Sequence, residues 1–505
     1  VPNFTAPTAD AAARARPAEP ARGTRAEGMV VAVVCGWSVI LPWLIGGRLW
    51  WAQALNALVG ALALAMAMGE RENRRWLRRS PVFWLGLAFL GWQLVQALNP
   101  WLVAKPFVPG AFAWDVDAVP NVAWLPGGIR ADYFESNSWR ELVYWIGPLL
   151  LACAWGAAVR RRRSAWWLWG ATFGNGLLVA IVSFLSIYFP THKILWFYVE
   201  HGLNDYVFHP WIYHIQMGAF SYANAAAVYL YLALSAGLAL VMLIQSRARR
   251  EGRDSGFSWV VLLGCAVVMA DIVAAGSRAG LALGAFILLA GLVTMAAVAV
   301  REQGFSFGRM LPALALLILL AVGVSTVFVK APPKSLQRFS HLPDWRHETR
   351  FLLWTTTAHM IHDRPWLGYG GGSYRYISPY YFRQEGVFLD SSYLGGLAFR
   401  ANYAHNDWLQ FVMEFGTLGA APLLALLLFL YGRALWRARW LGPSAGLILL
   451  GTVVVVFHAC FDFPLHNAAV VTLFFLLLVS SVRLAELHAQ RAAHVLHAPG
   501  FSHHH

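Results

Sequence analysis

Twelve predominantly apolar runs divide this chain, at roughly 29–46, 51–69, 81–98, 140–159, 166–187, 219–244, 257–276, 279–300, 310–329, 408–431, 442–459 and 467–484. Each is about as long as a helix needs to be to cross a hydrocarbon layer. Inside lipid no water is present to bond backbone N–H and C=O groups, so a spanning segment must satisfy them within its own helix. The expected fold is therefore an all-α polytopic membrane protein with about twelve transmembrane helices. Charge content agrees. Only 13% of residues are charged, against about a quarter in an ordinary soluble domain. The 25 Trp suit many membrane–water interfaces.

The basic residues fix an orientation. They stand in short blocks between runs: "RENRRWLRR" (71–79), "RRRR" (160–163), "RARREGR" (247–253), Arg301 with Arg309, "RALWRARW" (433–440), and the tail after Arg483. Counting spans from a cytoplasmic N-terminus puts every block on one side, as positive-inside sorting requires. The formal charge of +14 thus reports topology, and no nucleic-acid partner is expected. Residues 1–28 are rich in Ala, Pro and Arg, without the apolar core of a signal peptide. They read as a disordered cytoplasmic tail. Spans one to nine occupy 29–329, a large loop 330–407, the last three spans 408–484, and a second cytoplasmic tail 485–505. The four cysteines lack metal-ligand spacing and read as small buried hydrophobes.

The opposite face receives the long links 99–139, 188–218 and 330–407. The second crowds His192, His201, His209 and His214 with Trp and Tyr, a mixture that suits sugar faces and interfacial belts equally. The third contains "RHETRFLLWTTTAHMIHD" (346–363), where Phe351, Trp354, Ala358 and Ile361 recur at helical spacing and predict an amphipathic surface helix. Arg346 and Arg350 share a face of it. "GYGGG" (368–372), which holds Tyr369, lacks the Lys-Ser/Thr ending of a phosphate loop. It reads as tight turns or close approach of backbone to a ligand.

Three further places carry candidate chemistry. "YAHNDWLQF" (403–411) sets His405, Asn406 and Asp407 at the mouth of an apolar run. Asn406 or Asp407 can cap the helix, and a neutral imidazole can take a proton from a hydroxyl. Arg278, in "AAGSRAGLAL", lies between two runs on the outer side, where it either snorkels or clamps phosphate. Intramembrane Asp271 is a possible partner for it. Asp462 sits in "HACFDFPLHN" with His458 and His466, whose metal-like spacing is broken by Pro464.

Residues 350–374, "RFLLWTTTAHMIHDRPWLGYGGGSY", followed by 403–419, "YAHNDWLQFVMEFGTLG", resemble the signature of the O-antigen ligase and polymerase superfamily. "SRAG" is similar to its preceding arginine motif, and "FDFPLHN" to its segment before the last helix. The resemblance implies a bacterial inner-membrane enzyme with its active site facing the periplasm. Its donor would be a glycan on undecaprenyl pyrophosphate, transferred with inversion to an acceptor hydroxyl, with no metal or other cofactor. It further implies His405 as the base, and Arg278 and Arg350 on the pyrophosphate. Arg346, Tyr369, Asn406, Asp407 and Asp462 complete the expected substrate-binding set. The first expectation for the acceptor is lipid A-core. A growing glycan comes next, and then a protein hydroxyl. Membrane lipids are the surrounding partners. Family members often carry Pro before the His-Asn pair, where this chain has Ala404. Two other classes are weighed. A transporter or flippase suits twelve spans but lacks evident inverted repeats. A scaffold would tolerate alanine at His405, Arg278 and Arg350.

Overall fold

The structure, a computed structural model, describes residues 23–106, 114–132, 135–188, 193–194, 197–198, 219–253, 255–303, 349–384 and 401–496. Eleven helices among them are long and apolar enough to cross a membrane. They are α1 (Arg25–Trp43), α2 (Trp50–Met68), α4 (Pro81–Leu98), α5 (Ser138–Ala158), α6 (Arg162–Tyr188), α7 (Ala223–Arg250), α8 (Gly256–Ala274), α9 (Arg278–Gln303), α12 (Asp407–Trp436), α13 (Ala438–His458) and α14 (Ala468–Leu496). The chain is thus an all-α polytopic membrane protein. The expected run at 310–329 lies outside the described residues, as do Arg346 and nearly all of the 188–218 link. Three shorter helices, α3 (Arg71–Arg79), α10 (Thr349–Asp363) and α11 (Tyr374–Gln384), lie between the spans.

Small and amide-bearing residues hold the bundle together. α2 and α5 approach so closely that a Cβ on Gly60 would stand 3.0 Å from the Gly147 carbonyl oxygen. Asn56 accepts from the Trp37 indole at 2.8 Å and donates to Thr472 Oγ1 at 3.1 Å, tying α1, α2 and α14 together. Asn175 accepts from Trp43 at 2.8 Å and donates to the Tyr229 hydroxyl at 2.7 Å, linking α1, α6 and α7. Such bonds matter more than apolar burial between helices whose alternative neighbour is lipid.

The basic blocks gather at one end of this bundle. There the buried Glu27 carboxylate accepts from the Arg160 and Arg161 amides, both at 3.0 Å, from Ser164 Oγ at 2.7 Å and from Arg161 Nε at 3.1 Å. It satisfies donors at the start of α6 that no intrahelical carbonyl can reach.

At the other end a small cap covers the bundle. Strand β1 (Pro100–Pro106) pairs antiparallel with β2 (Trp114–Ala118) and parallel with β3 (Gly128–Arg130). Leu102, Ala104 and Ile129 of this sheet pack with Met360, Tyr374 and Ile377 from α10 and α11. On α10 the buried stripe is Leu353, Thr356, Thr357 and Met360, while Phe351 is exposed. This corrects the expected face of Phe351, Trp354, Ala358 and Ile361. The two threonines disguise the stripe, and Thr357 can be buried because its hydroxyl donates to the Leu353 carbonyl at 2.5 Å.

Candidate active site

The site grows from an interruption in α12. Gly416 stands at φ +69°, and a Cβ there would lie 2.2 Å from the Trp366 carbonyl oxygen. The break frees backbone groups, and segment 365–370 satisfies them. Tyr369 N–H donates to Met413 O at 3.0 Å and Gly370 N–H to Glu414 O at 2.7 Å. In return Thr417 N–H donates to Pro365 O at 2.8 Å. Gly368 and Gly370, at φ +68° and +101°, let this segment touch α12 and β3 backbone to backbone. At "GYGGG" the glycines serve tight turns and a close approach to protein backbone.

The N-terminus of α12 is held by two crossed pairs. His405 Nδ1 lies 3.2 Å from Asp462 Oδ1, and Asp407 Oδ1 lies 2.6 Å from His466 Nδ1. Each segment thus contributes one imidazole and one carboxylate to the other. Further bonds tighten the join. Asp407 N–H donates to Ala459 O at 2.9 Å, and the Asp407 carboxylate accepts from Leu465 N–H at 2.8 Å. Asn406 caps α12 by accepting from Leu409 N–H at 3.1 Å, while its amide donates to Cys460 O at 2.8 Å. Cys460 is exposed at this turn, unlike the buried cysteine expected there, because the preceding span, α13, ends at His458.

The two pairs differ in what they leave open. The His405 side chain is 30% exposed, whereas His466 is 6% and Asp407 is 0% exposed. His405 also holds the left-handed backbone region at φ +51°. A non-glycine residue there is uncommon and concentrates at functional positions. Trp354 secures it by donating its indole N–H to the His405 carbonyl at 3.1 Å. Asp462 is a hub. Its carboxylate receives the Tyr222 hydroxyl at 3.3 Å, the Phe463 amide at 3.0 Å and the Asn224 side-chain amide. Burial pushes this carboxyl up, but the His405 hydrogen bond and the His458, His405 and Arg350 charges outweigh burial and hold it below its ordinary value. An ionised Asp462 accepts Nδ1–H from His405, which leaves Nε2 as the ring nitrogen available for proton transfer.

Arg350, on the same face of α10 as Trp354, lies near enough to act electrostatically on both Asp462 and His458. Arg278 opens α9 at the same end of the bundle. Two residues on, Gly280 packs against Ala227, one turn into α7 from Asn224. Tyr369 is placed apart. Its hydroxyl pairs with Tyr381 at 2.6 Å and its carbonyl accepts from Trp101, over which Arg364 stacks at 3.5 Å. Asp271 lies buried in α8 near Ser183 of α6, and neither of its carboxylate oxygens meets a hydrogen-bond donor among the described residues. His458 and His466 turn to different carboxylates, Asp462 and Asp407.

Several participants were not singled out in the sequence for these roles. Tyr222 and Asn224 reach Asp462 from α7. Tyr403, Phe463 and Tyr222 form a continuous stack, with centroids 4.2 and 4.9 Å apart, and the edge of His405 meets Phe463 at 4.8 Å. Behind them Glu141 and Glu414 face His466 in a small cavity also lined by Arg48 and Arg375. Burial would lower His466, but Asp407, Glu141 and Glu414 raise it to about 9. Its charged form is therefore favoured at neutral pH.

Taken together, the end of the bundle opposite the arginine blocks presents an imidazole aimed by a buried carboxylate, with the Arg350 guanidinium near that carboxylate. That set can deprotonate a hydroxyl next to an anionic leaving group. Residues 264–424 match the family model described as O-Antigen ligase. This stretch contains Arg278, Arg350, His405, Asn406 and Asp407, and ends before Asp462. No curated protein matches the chain.

Proposed function

Taking the chain as a member of the O-antigen ligase and polymerase superfamily, we propose that it transfers a glycan from undecaprenyl pyrophosphate to an acceptor hydroxyl at the periplasmic face of the bacterial inner membrane. The observation that carries this reading is His405 Nδ1 engaged by Asp462 at 3.2 Å while the ring stays partly exposed. In the proposed step the acceptor oxygen attacks the anomeric carbon from the face opposite the pyrophosphate. The carbon–oxygen bond to pyrophosphate breaks, and the acceptor proton passes to His405 Nε2. Arg278 and Arg350 receive the charge that develops on the leaving group, as guanidinium suits phosphate oxygens. Asp462 and Asp407 act as positioning residues, and Asn406 fixes the helix end between them. The preferred acceptor is lipid A-core.

Reconstituted protein, lipid-linked glycan donor and lipid A-core acceptor test this. Wild type should form the coupled product, and His405→Ala should lower turnover by about a hundredfold or more. Undiminished turnover in His405→Ala would remove it as the base. Extension of the donor glycan with no product on lipid A-core would replace the ligase reading with a polymerase.

A further inference from the structure

The arginine-rich end of the bundle contains a cavity of about 940 Å³ between α6, α7, α9, α13 and α14. Its mouth is basic. Arg250 of α7 and Arg491 of α14, which line it, both lie within electrostatic reach of Arg162 of α6. Arg162 Nε is buried and meets no hydrogen-bond acceptor. Among the described lining residues Glu251 is the one acid, and it is engaged by Arg247 at 2.8 Å and Arg253 at 3.5 Å. Deeper in, the walls are apolar, including Trp169, Met242 and Leu441.

Positive-inside sorting accounts for arginines on this side but not for their convergence. Sorting asks only that they lie on one side of the membrane, where solvated arginines spread apart. Here guanidinium groups of two other helices, Arg250 and Arg491, repel that of Arg162 at the mouth of an apolar chamber. A phosphate anion would relieve that repulsion and supply the missing acceptor. The apolar depth would take hydrocarbon, which a free phosphate does not possess.

We propose that this cavity binds an anionic phospholipid from the adjacent leaflet, its phosphate between Arg162, Arg250 and Arg491 and an acyl chain against Trp169, Met242 and Leu441. Basic pockets between spanning helices commonly recognise such headgroups. The site is separate from His405 and does not depend on the proposed transfer reaction.

The test uses the full chain in mild detergent, with native mass spectrometry against phosphatidylglycerol or phosphatidylcholine, and with inorganic phosphate as competitor. Wild type should retain phosphatidylglycerol selectively, and retention should weaken with salt. The Arg162→Gln/Arg250→Gln/Arg491→Gln protein should bind about a hundredfold more weakly, on the order of fivefold per guanidinium. Removing equal charge on α3, by Arg71→Gln/Arg75→Gln/Arg78→Gln, should leave retention unchanged. Equal retention of phosphatidylcholine by wild type overturns the proposal without reference to any variant. Equal loss in the α3 protein overturns it too. Displacement by inorganic phosphate at matched concentration would reduce the site to a free-anion site and also overturn it.

Discussion

Replacing Asp462 with Asn keeps the side-chain shape and removes one charge. Two carboxylate oxygens now serve donors from His405, Tyr222, Phe463 and Asn224. An amide offers only one oxygen. Turned toward His405, Tyr222 and Phe463, it confronts the Asn224 amide with another amide. The His405 bond then survives in neutral form. What disappears is the attraction between a carboxylate and the imidazolium formed as the acceptor loses its proton. At 3.2 Å that attraction is about 5 kcal/mol with an effective dielectric near 20. The 30% exposure of His405 admits water and reduces it, leaving about 2–4 kcal/mol. Turnover should therefore fall by roughly 30- to 1,000-fold. Because Asp462 faces His405 rather than substrate in the proposed complex, KM should stay within about threefold. Initial rates of product formation, followed by mass spectrometry over a range of donor concentrations, give both constants. A kcat within twofold of wild type, in protein of unchanged thermal midpoint, would refute the claim that Asp462 aims and charges the base. A rise in KM at constant kcat would refute it differently, by showing that Asp462 contacts substrate.

Gly416→Ala should cost about 2–3 kcal/mol, since φ +69° disfavours an L side chain and the new methyl meets the Trp366 carbonyl. Gly432→Ala in the same helix meets nothing within 4 Å and should leave the thermal midpoint unchanged or slightly raised. Ala404→Pro would impose the residue common in the family, but Ala404 N–H donates to Gln410 Oε1 at 3.0 Å. Proline has no such donor, so about 1–3 kcal/mol of stability should be lost, read as a lower thermal midpoint. His466 has a raised folded value, about 9, against about 6.5 unfolded. Its stabilisation is fully present below pH 6.5 and is lost as pH rises through about 9. Thermal midpoints should fall across that window in wild type and stay flatter in His466→Gln. His405→Ala should leave the midpoint nearly unchanged while lowering turnover by about a hundredfold or more. His466→Ala should lower the midpoint by the equivalent of about 3–5 kcal/mol, because it strands a buried Asp407.

Eleven of the twelve expected spans were legible because lipid imposes one local rule on every run, and the twelfth lies outside the described residues. His405, Arg350 and Arg278 stood out by motif, and the structure gathers them at one end. Their partners were less visible for a physical reason. His405 and Asp462 are 57 residues apart, and Tyr222 and Asn224 reach Asp462 across about 240 residues. Polar residues beside an apolar run carry no periodicity that reveals a contact. The face of α10 was misread because Thr356 and Thr357 are buried where only apolar side chains were counted. The break at Gly416 left no signal, since "FGTLG" suits a continuous helix as well as an interrupted one.

Ala404 shows how the crossed pairs and the break in α12 form one device. Ala404 donates to Gln410, and Gln410 donates to Glu414 at 3.1 Å. Glu414 lends its carbonyl to Gly370 across the Gly416 break and faces His466 across the small cavity. His466 in turn grips Asp407, two residues from His405. The closed pair therefore works as an anchor: fully buried, ringed by Glu141 and Glu414, and charged at neutral pH, it has neither the exposure nor the free lone pair for proton transfer. The open pair has both. Two imidazole–carboxylate pairs with the same local chemistry are separated into anchor and base by burial and by the number of acids behind each. That difference lies in what α5 and the 462–466 turn bring to α12, and not in the histidines themselves.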